Sequence, residues 1–408
     1  MTTQSGASRA DSNSRTSMSE LNIGKYHITA PALQTGRDQM SARCRRHSWR
    51  ARMMLLIALV TALPGCATTS YYLQSIAGHL QILGQRRDIG EVLQAPETPP
   101  ALRSRLQAVP EILQFAADQL ALPDHGSYRT FVALERPFVA WNLFATPALS
   151  LDGLRWCYPL AGCFSYRGYF SEATARTEAA RLRALGHDVY VGGVAAYSTL
   201  GWFNDPILSS MLRADRQDLA ALLFHELAHQ KLWLPDDTEL NEAFAEAVAR
   251  IGIEKLAQTF SDVDARRFHD RTQQEDRFFR LVLNHKEKLE SLYAADVPGW
   301  SKQILKQQQF AALRADYRAL MRSTGDPDRF EAWLETDLNN AKLLAISAYR
   351  KLVPGLLEIY RQRSRGLETF YALVRQLQGC PPAVRHAWIL SAGALPECWI
   401  QGQELADS

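Results

Sequence analysis

The sequence predicts an α+β chain, mostly α, in which a small mixed sheet precedes one marked helix and a helical C-terminal lobe follows it. Three observations predict this order. Between Tyr128 and Tyr169 the apolar residues alternate and are rich in aromatic and β-branched types, the pattern of strands. Residues 215–231, DRQDLAALLFHELAHQK, carry Leu219, Leu222, Leu223 and Leu227 at helical spacing. Beyond Ile253 the runs 262–294 and 302–322 set Phe, Leu and Tyr stripes against Arg, Gln and Glu faces, which reads as helix throughout.

Residues 1–39 are rich in Ser, Thr and Gln without apolar periodicity and read as disordered, so functional translation is expected to begin near Met40. Residues 40–65 have the proportions of a signal peptide. Arg43, Arg45, Arg46, Arg50 and Arg52 form a basic region, and Met53 to Leu63 an apolar one too short for an ordinary spanning helix. Leu63-Pro64-Gly65-Cys66 then looks like a bacterial lipobox. It predicts lipidation of Cys66 and a chain anchored in the bacterial cell envelope, with Ala67 directing it to the outer membrane, facing the periplasm. The alternative is a short membrane anchor that happens to end in a cysteine.

Removal of residues 1–65, which hold nine Arg/Lys and three Asp/Glu, takes the formal charge from +3 to −3 and excludes nucleic acid as a partner. Four cysteines remain after Cys44 and Cys66 are set aside. Cys157 with Cys163 and Cys380 with Cys398 form local pairs, which predicts two disulfides in an oxidising compartment. Zinc binding by these cysteines is the weaker alternative, since neither pair has ligand spacing.

Residues 66–127 read as helical with a Pro-marked break at 96–100, and His79 as a packed core histidine. TFVALE, FVAWNLFAT and CFSYRGYF supply strands, Thr174 to Leu185 a helix closed by Gly186, and DVYVGGVAAYS a further strand. Gly192-Gly193-Val194-Ala195-Ala196 is expected on or near a sheet edge, where peptides pair by main-chain hydrogen bonds; a simple bulge is the alternative.

The helix over 215–231 carries His225-Glu226-Leu227-Ala228-His229. One turn apart, both imidazoles reach one ion, while Glu226 lies about 100° round the helix, within reach of a metal-bound water as a general base. A catalytic zinc needs a third ligand and an open position. After Leu234-Pro235-Asp236-Asp237, with Thr238 as the expected N-cap, NEAFAEAVARIGIEKL opens a second helix whose Glu242 can supply that ligand. Glu246, one turn on, either accepts the free N–H of a ligand histidine or is a solvated helix residue.

HExxH followed by NExxxE resembles the gluzincin metallopeptidases. YYLQSIAGHLQIL, AYSTLGWFNDPIL, HELAHQKLWLPDDTELNEAFAEAVARIG and LNNAKLLAISAYRKLVP together resemble a bacterial family described as predicted zinc aminopeptidases. The resemblance implies a gluzincin-like core over 128–260 and a helical lobe over 261–408. It implies Zn2+ held by His225, His229 and Glu242, Glu226 as base, and a peptide substrate. Well-known exopeptidases of this class place an acidic residue near a Gly-rich edge strand to hold the substrate amine, and Gly192–Ala196 contains none. Tyr349, or Asn339 or Asn340 earlier in the same segment, is a candidate donor to the reaction's oxyanion; a buried Tyr and a helix cap is the alternative. Against the enzyme stands a non-catalytic envelope lipoprotein, a scaffold or assembly factor with a structural metal. The presence of Glu226 favours the enzyme, because a structural site has no need of that base.

Overall fold

A computed structural model describes residues 66–391, apart from 159–161, 197, 200–202, 214, 261–262, 326–328 and 348–350, together with 396 and 398. The expected disordered leader, the signal peptide and Tyr349 lie outside the described residues, as does the side chain of Cys66. No helix among the described residues is long and apolar enough to cross a membrane.

The architecture is α+β and mostly α. The N-terminal helices are α1 (Cys66–Gly84), α2 (Ile89–Gln94) and α3 (Pro100–Leu120). A two-residue strand, β1 (Arg87–Asp88), interrupts what the sequence presents as helix, and the Asp88 side chain caps α2 by accepting the Gly90 N–H at 2.8 Å. β1 pairs antiparallel with β2 (Thr130–Val132), which pairs parallel with β8 (Ile207–Leu208).

A second sheet has the order β6 (Arg167–Tyr169), β3 (Ala140–Pro147), β7 (His187–Val194), all antiparallel. Period-two alternation decides its faces. Trp141, Leu143, Ala145, Tyr169 and Val189 bury against Ala175, Ala179 and Leu182 of helix α4 (Glu172–Ala184), while Phe144 and its cross-strand partner Tyr190 lie on the opposite face. The register runs unbroken from Ala140↔Val194 to Pro147↔His187, so the Gly192-Gly193 pair marks no bulge. Gly193 instead makes room for Phe138, whose ring lies 2.2 Å from where a Cβ would stand. β7 is an edge strand of this sheet, as the sequence suggests for 192–194. A hairpin of β4 (Trp156–Tyr158) and β5 (Gly162–Phe164) sits between β3 and β6 in the chain, with Cys157 and Cys163 directly opposite and bridged.

Helix α5 (Arg216–Lys231) begins where the sequence predicts: the Asp215 carboxylate accepts the Asp218 N–H at 3.0 Å. Six residues later α6 (Thr238–Thr259) returns along it. The cap of α6 is Asp237 rather than Thr238, because Asp237 is buried and its carboxylate accepts the Leu240 N–H at 3.2 Å. Close approach of the two helices rests on small residues. At Gly252 a Cβ would stand 2.5 Å from the Phe224 ring and 2.9 Å from Leu120.

The C-terminal helices are α7 (Ala265–Ala294), α8 (Gly299–Thr324), α9 (Glu331–Glu335), α10 (Asn340–Ser347), α11 (Val353–Arg363), α12 (Leu367–Gln376) and α13 (Pro382–Ser391). α7 and α8 pair around Phe278, Val282, Phe310, Leu313 and Tyr317. α11, α12 and α13 instead join the largest core, which also holds α3, α5 and α6; Phe370 stacks on Phe244 at 5.8 Å and the Tyr371 hydroxyl donates to Leu120 O at 2.7 Å. The second disulfide joins Cys380 to Cys398, so both bridges follow the local pairing that the sequence suggests.

Candidate metal centre

His225 and His229 point from one face of α5, their Nε2 atoms 3.2 Å apart. Glu242, in the second turn of α6, brings Oε2 to 3.3 Å from His225 Nε2 and 3.8 Å from His229 Nε2. The three ligand atoms lie within 4.8 Å of one another, and no other such His, Cys, Asp or Glu group occurs among the described residues. A tetrahedral ion bonded at roughly 2.1 Å separates its ligand atoms by about 3.4 Å, so this set fits zinc. The donor set, two neutral nitrogens and a carboxylate, is also that of a zinc site with a position left open.

The short connection between the helices is fixed by Asn241. Its Oδ1 accepts the Leu234 N–H at 2.8 Å and its Nδ2 donates to Leu234 O at 2.7 Å, closing the turn on itself. Asp236 adopts the left-handed region, φ 63°, and its carboxylate accepts the Cys163 N–H at 2.9 Å. Asp237 receives Arg385 at 3.1 Å and His386 at 2.8 Å. Glu242 is thereby carried on a turn braced from both sides.

Burial and charge oppose each other at the ligands. Burial lowers the proton affinity of His225, but the hydrogen bond and charge of Glu242 outweigh it and raise the pKa to about 9. For His229 burial prevails and the pKa falls to about 4. Its Nδ1 has no hydrogen-bond partner among the described residues. Glu246 lies one turn beyond Glu242, and the structure gives its carboxylate to Arg250, Nε to Oε1 2.8 Å, which in turn grips Asp276 with both terminal nitrogens at 2.7 Å.

Glu226 is buried on the same helix, 8% exposed. Burial, with the nearby charges of Glu242 and Asp205, raises its pKa to about 7 against the pull of His225. Asp205 is itself 1% exposed. Its Oδ2 accepts the Thr199 N–H at 3.0 Å, and its Oδ1 has no donor among the described residues. Burial raises the Asp205 pKa to about 6. Ser127 links this carboxylate's loop to α5, its Oγ lying 3.3 Å from both the Asp205 N–H and Gln230 Nε2; Gln230 Oε1 likewise has no partner among the described residues.

Tyr166, in the bend between β5 and β6, lies near enough to Glu242 and Glu226 for their charges to act on it. Its hydroxyl is pushed above the ordinary phenol range by burial and by the charges of Glu242 and Glu226. The ring packs between Phe144 at 5.6 Å and Phe164 at 5.7 Å.

The sequence marked His225, Glu226, His229 and Glu242, and the structure brings them together. Asp205 and Tyr166 carry no such mark. Asp205 lies in the quoted stretch LGWFNDPIL and Tyr166 in CFSYRGYF, where a strand and loop pattern conceals what each side chain faces.

No curated protein and no solved structure shows a significant match to the chain. Residues 70–389 match the family model described as "Putative aminopeptidase", a span that includes α5 and α6, and the chain belongs to that family.

Proposed function

We propose that the protein is a zinc-dependent aminopeptidase of the gluzincin kind, anchored to the envelope membrane by lipid on Cys66. The observation that carries the reading is the convergence of His225, His229 and Glu242 beside a buried Glu226. Zinc, when held there, supplies a Lewis acid and lowers the pKa of a coordinated water to about 7. Glu226 accepts the proton of the attacking water as the water oxygen bonds to the scissile carbonyl carbon. The C–N bond then breaks, and Glu226 passes that proton to the departing amine. Burial holds the proton affinity of Glu226 above that of an ordinary carboxylate, which suits a group that both takes and returns a proton. Tyr166 supplies an O–H donor toward the carbonyl oxygen as negative charge gathers on it.

Asp205 supports an aminopeptidase rather than an endopeptidase. A buried carboxylate oxygen without a donor among the described residues costs free energy, and an incoming ammonium group relieves that cost. In a peptide the amino nitrogen is two bonds from the carbonyl carbon, roughly 2.5 Å away, so the ammonium must bind beside the base. Asp205 lies near enough to Glu226 for its charge to raise that residue's pKa. The envelope location is supported by the lipobox and by the two disulfides. The reading is tested by zinc analysis and peptide hydrolysis with wild type and Glu226→Gln. Undiminished hydrolysis by the variant sinks the mechanism.

A further inference from the structure

A chain of aromatic rings in mutual contact starts at His229 of the metal centre. Trp233 meets the ligand His229 edge to face at 5.7 Å, Phe164 meets Trp233 at 6.1 Å, Tyr166 meets Phe164 at 5.7 Å, and Phe144 meets Tyr166 at 5.6 Å. Phe144 is 4% exposed and closes the far end against the sheet. Trp233, Phe164 and Tyr166 are only partly covered. Apolar rings left partly open to water beside a polar centre forgo burial that the fold obtains at other positions. A substrate side chain that covers them recovers it.

The wall is also held in place. Phe164 ends the strand that the Cys157–Cys163 bridge ties to its partner, and the Cys163 N–H is bonded to Asp236 in the turn between the ligand helices. Trp233 lies in that same turn. The rings therefore keep a fixed position relative to His229 and Glu242, as a selective subsite requires.

We infer that Trp233, Phe164 and Tyr166 wall a subsite that selects peptides whose first residue has an aromatic or large aliphatic side chain. The inference rests on the peptidase reading and names its substrate class. Covering a side chain of that size favours it over glycine by about tenfold to a hundredfold.

The experiment uses the zinc-loaded full chain. Cleavage of phenylalanyl, leucyl and glycyl anilides is compared by kcat/KM, and the affinities of phenylalanine hydroxamate and glycine hydroxamate are measured by calorimetry. Wild type should prefer the phenylalanyl and leucyl substrates and bind phenylalanine hydroxamate at least tenfold more tightly. Phe164→Ala should reduce both preferences about tenfold, and Phe164→Leu, which keeps the apolar surface, should restore most of them. Hydrolysis without side-chain preference, or preferences unchanged in Phe164→Ala, overturns the subsite and leaves the peptidase reading standing. If no anilide is cleaved, the peptidase reading fails, and the hydroxamate pair decides the subsite: a preference for the phenylalanine compound supports it and equal affinities overturn it.

Discussion

Asn at position 205 should make the protein more stable and less selective at once. Asp205 is 1% exposed, and burial raises its pKa from 3.8 to about 6. The folded chain therefore holds that proton to a higher pH than the unfolded chain. The sign follows: stability falls as pH rises from about 4 to about 6, and the penalty is complete above that range. A shift of about 2 units at 1.36 kcal/mol each sets an upper limit of about 3 kcal/mol at pH 7.5. Asp205→Asn removes the charge while its amide oxygen still accepts the Thr199 N–H. Urea unfolding of metal-stripped wild type and variant, from pH 4 to pH 8, measures the difference; stripping matters because a nearby dication reduces the cost of the carboxylate. The gain should grow across the titration range and level off. Hydrolysis of peptides with free and acetylated amino termini, by the zinc-loaded forms, should show a lost preference for the free amine. A variant that is less stable at pH 7.5, or whose gain does not change with pH, refutes the reasoning.

Substitution of His225, His229 or Glu242 by Ala should cut zinc stoichiometry, while Glu226→Gln should keep zinc and lose turnover by about 10²–10⁴-fold; a Glu242→Ala protein with full zinc affinity moves the third ligand elsewhere. Tyr166→Phe should lower kcat by up to about 10²–10³-fold with KM nearly unchanged, as loss of an oxyanion donor does, and a pure KM effect excludes that role. Cys66→Ser should abolish lipid labelling and membrane fractionation, both followed in cell extracts. The Asp237–His386 pair should give a window of stability. The Asp237 pKa is lowered because His386 and its other donors outweigh burial, so its contribution is lost as pH falls through that lowered value. The His386 pKa is raised because Asp237 outweighs burial, so its contribution is lost as pH rises through that raised value. His386→Ala should cost about 1–3 kcal/mol near pH 6 and flatten the alkaline limb of the unfolding profile.

How much was legible in the sequence depends on how local each cause is. The α5 helix was legible because its cap, Asp215, and its leucine spacing are contiguous. The Cys157–Cys163 bridge was legible because a hairpin brings residues six apart face to face. The cluster of His225, His229 and Glu242 was legible since two of its members share a helix and the third follows a short turn. Thr238 and Asp237 both have capping chemistry, and what favours Asp237 is its burial under Arg385 and His386, about 150 positions away in the chain. Gly192-Gly193 suggested a bulge, but the reason for Gly193 is Phe138, a ring that precedes the neighbouring strand β3. Asp205 and Tyr166 reach the centre only through tertiary packing of β2, β8 and the β5–β6 bend, which leaves no periodic trace.

The turn between α5 and α6 joins two covalent braces to one site. Asp236 is held by the backbone of a cystine hairpin, and Asp237 by Arg385 and His386 of the segment closed by Cys380 and Cys398. Oxidation state and ligand geometry are therefore not independent variables. A chain in a thiol-rich compartment lacks both cross-links, and the turn that carries Glu242 toward the histidines loses its support on each side. Reduction of the two bridges is therefore expected to weaken metal binding by His225, His229 and Glu242, which metal titration of the oxidised and the reduced chain measures.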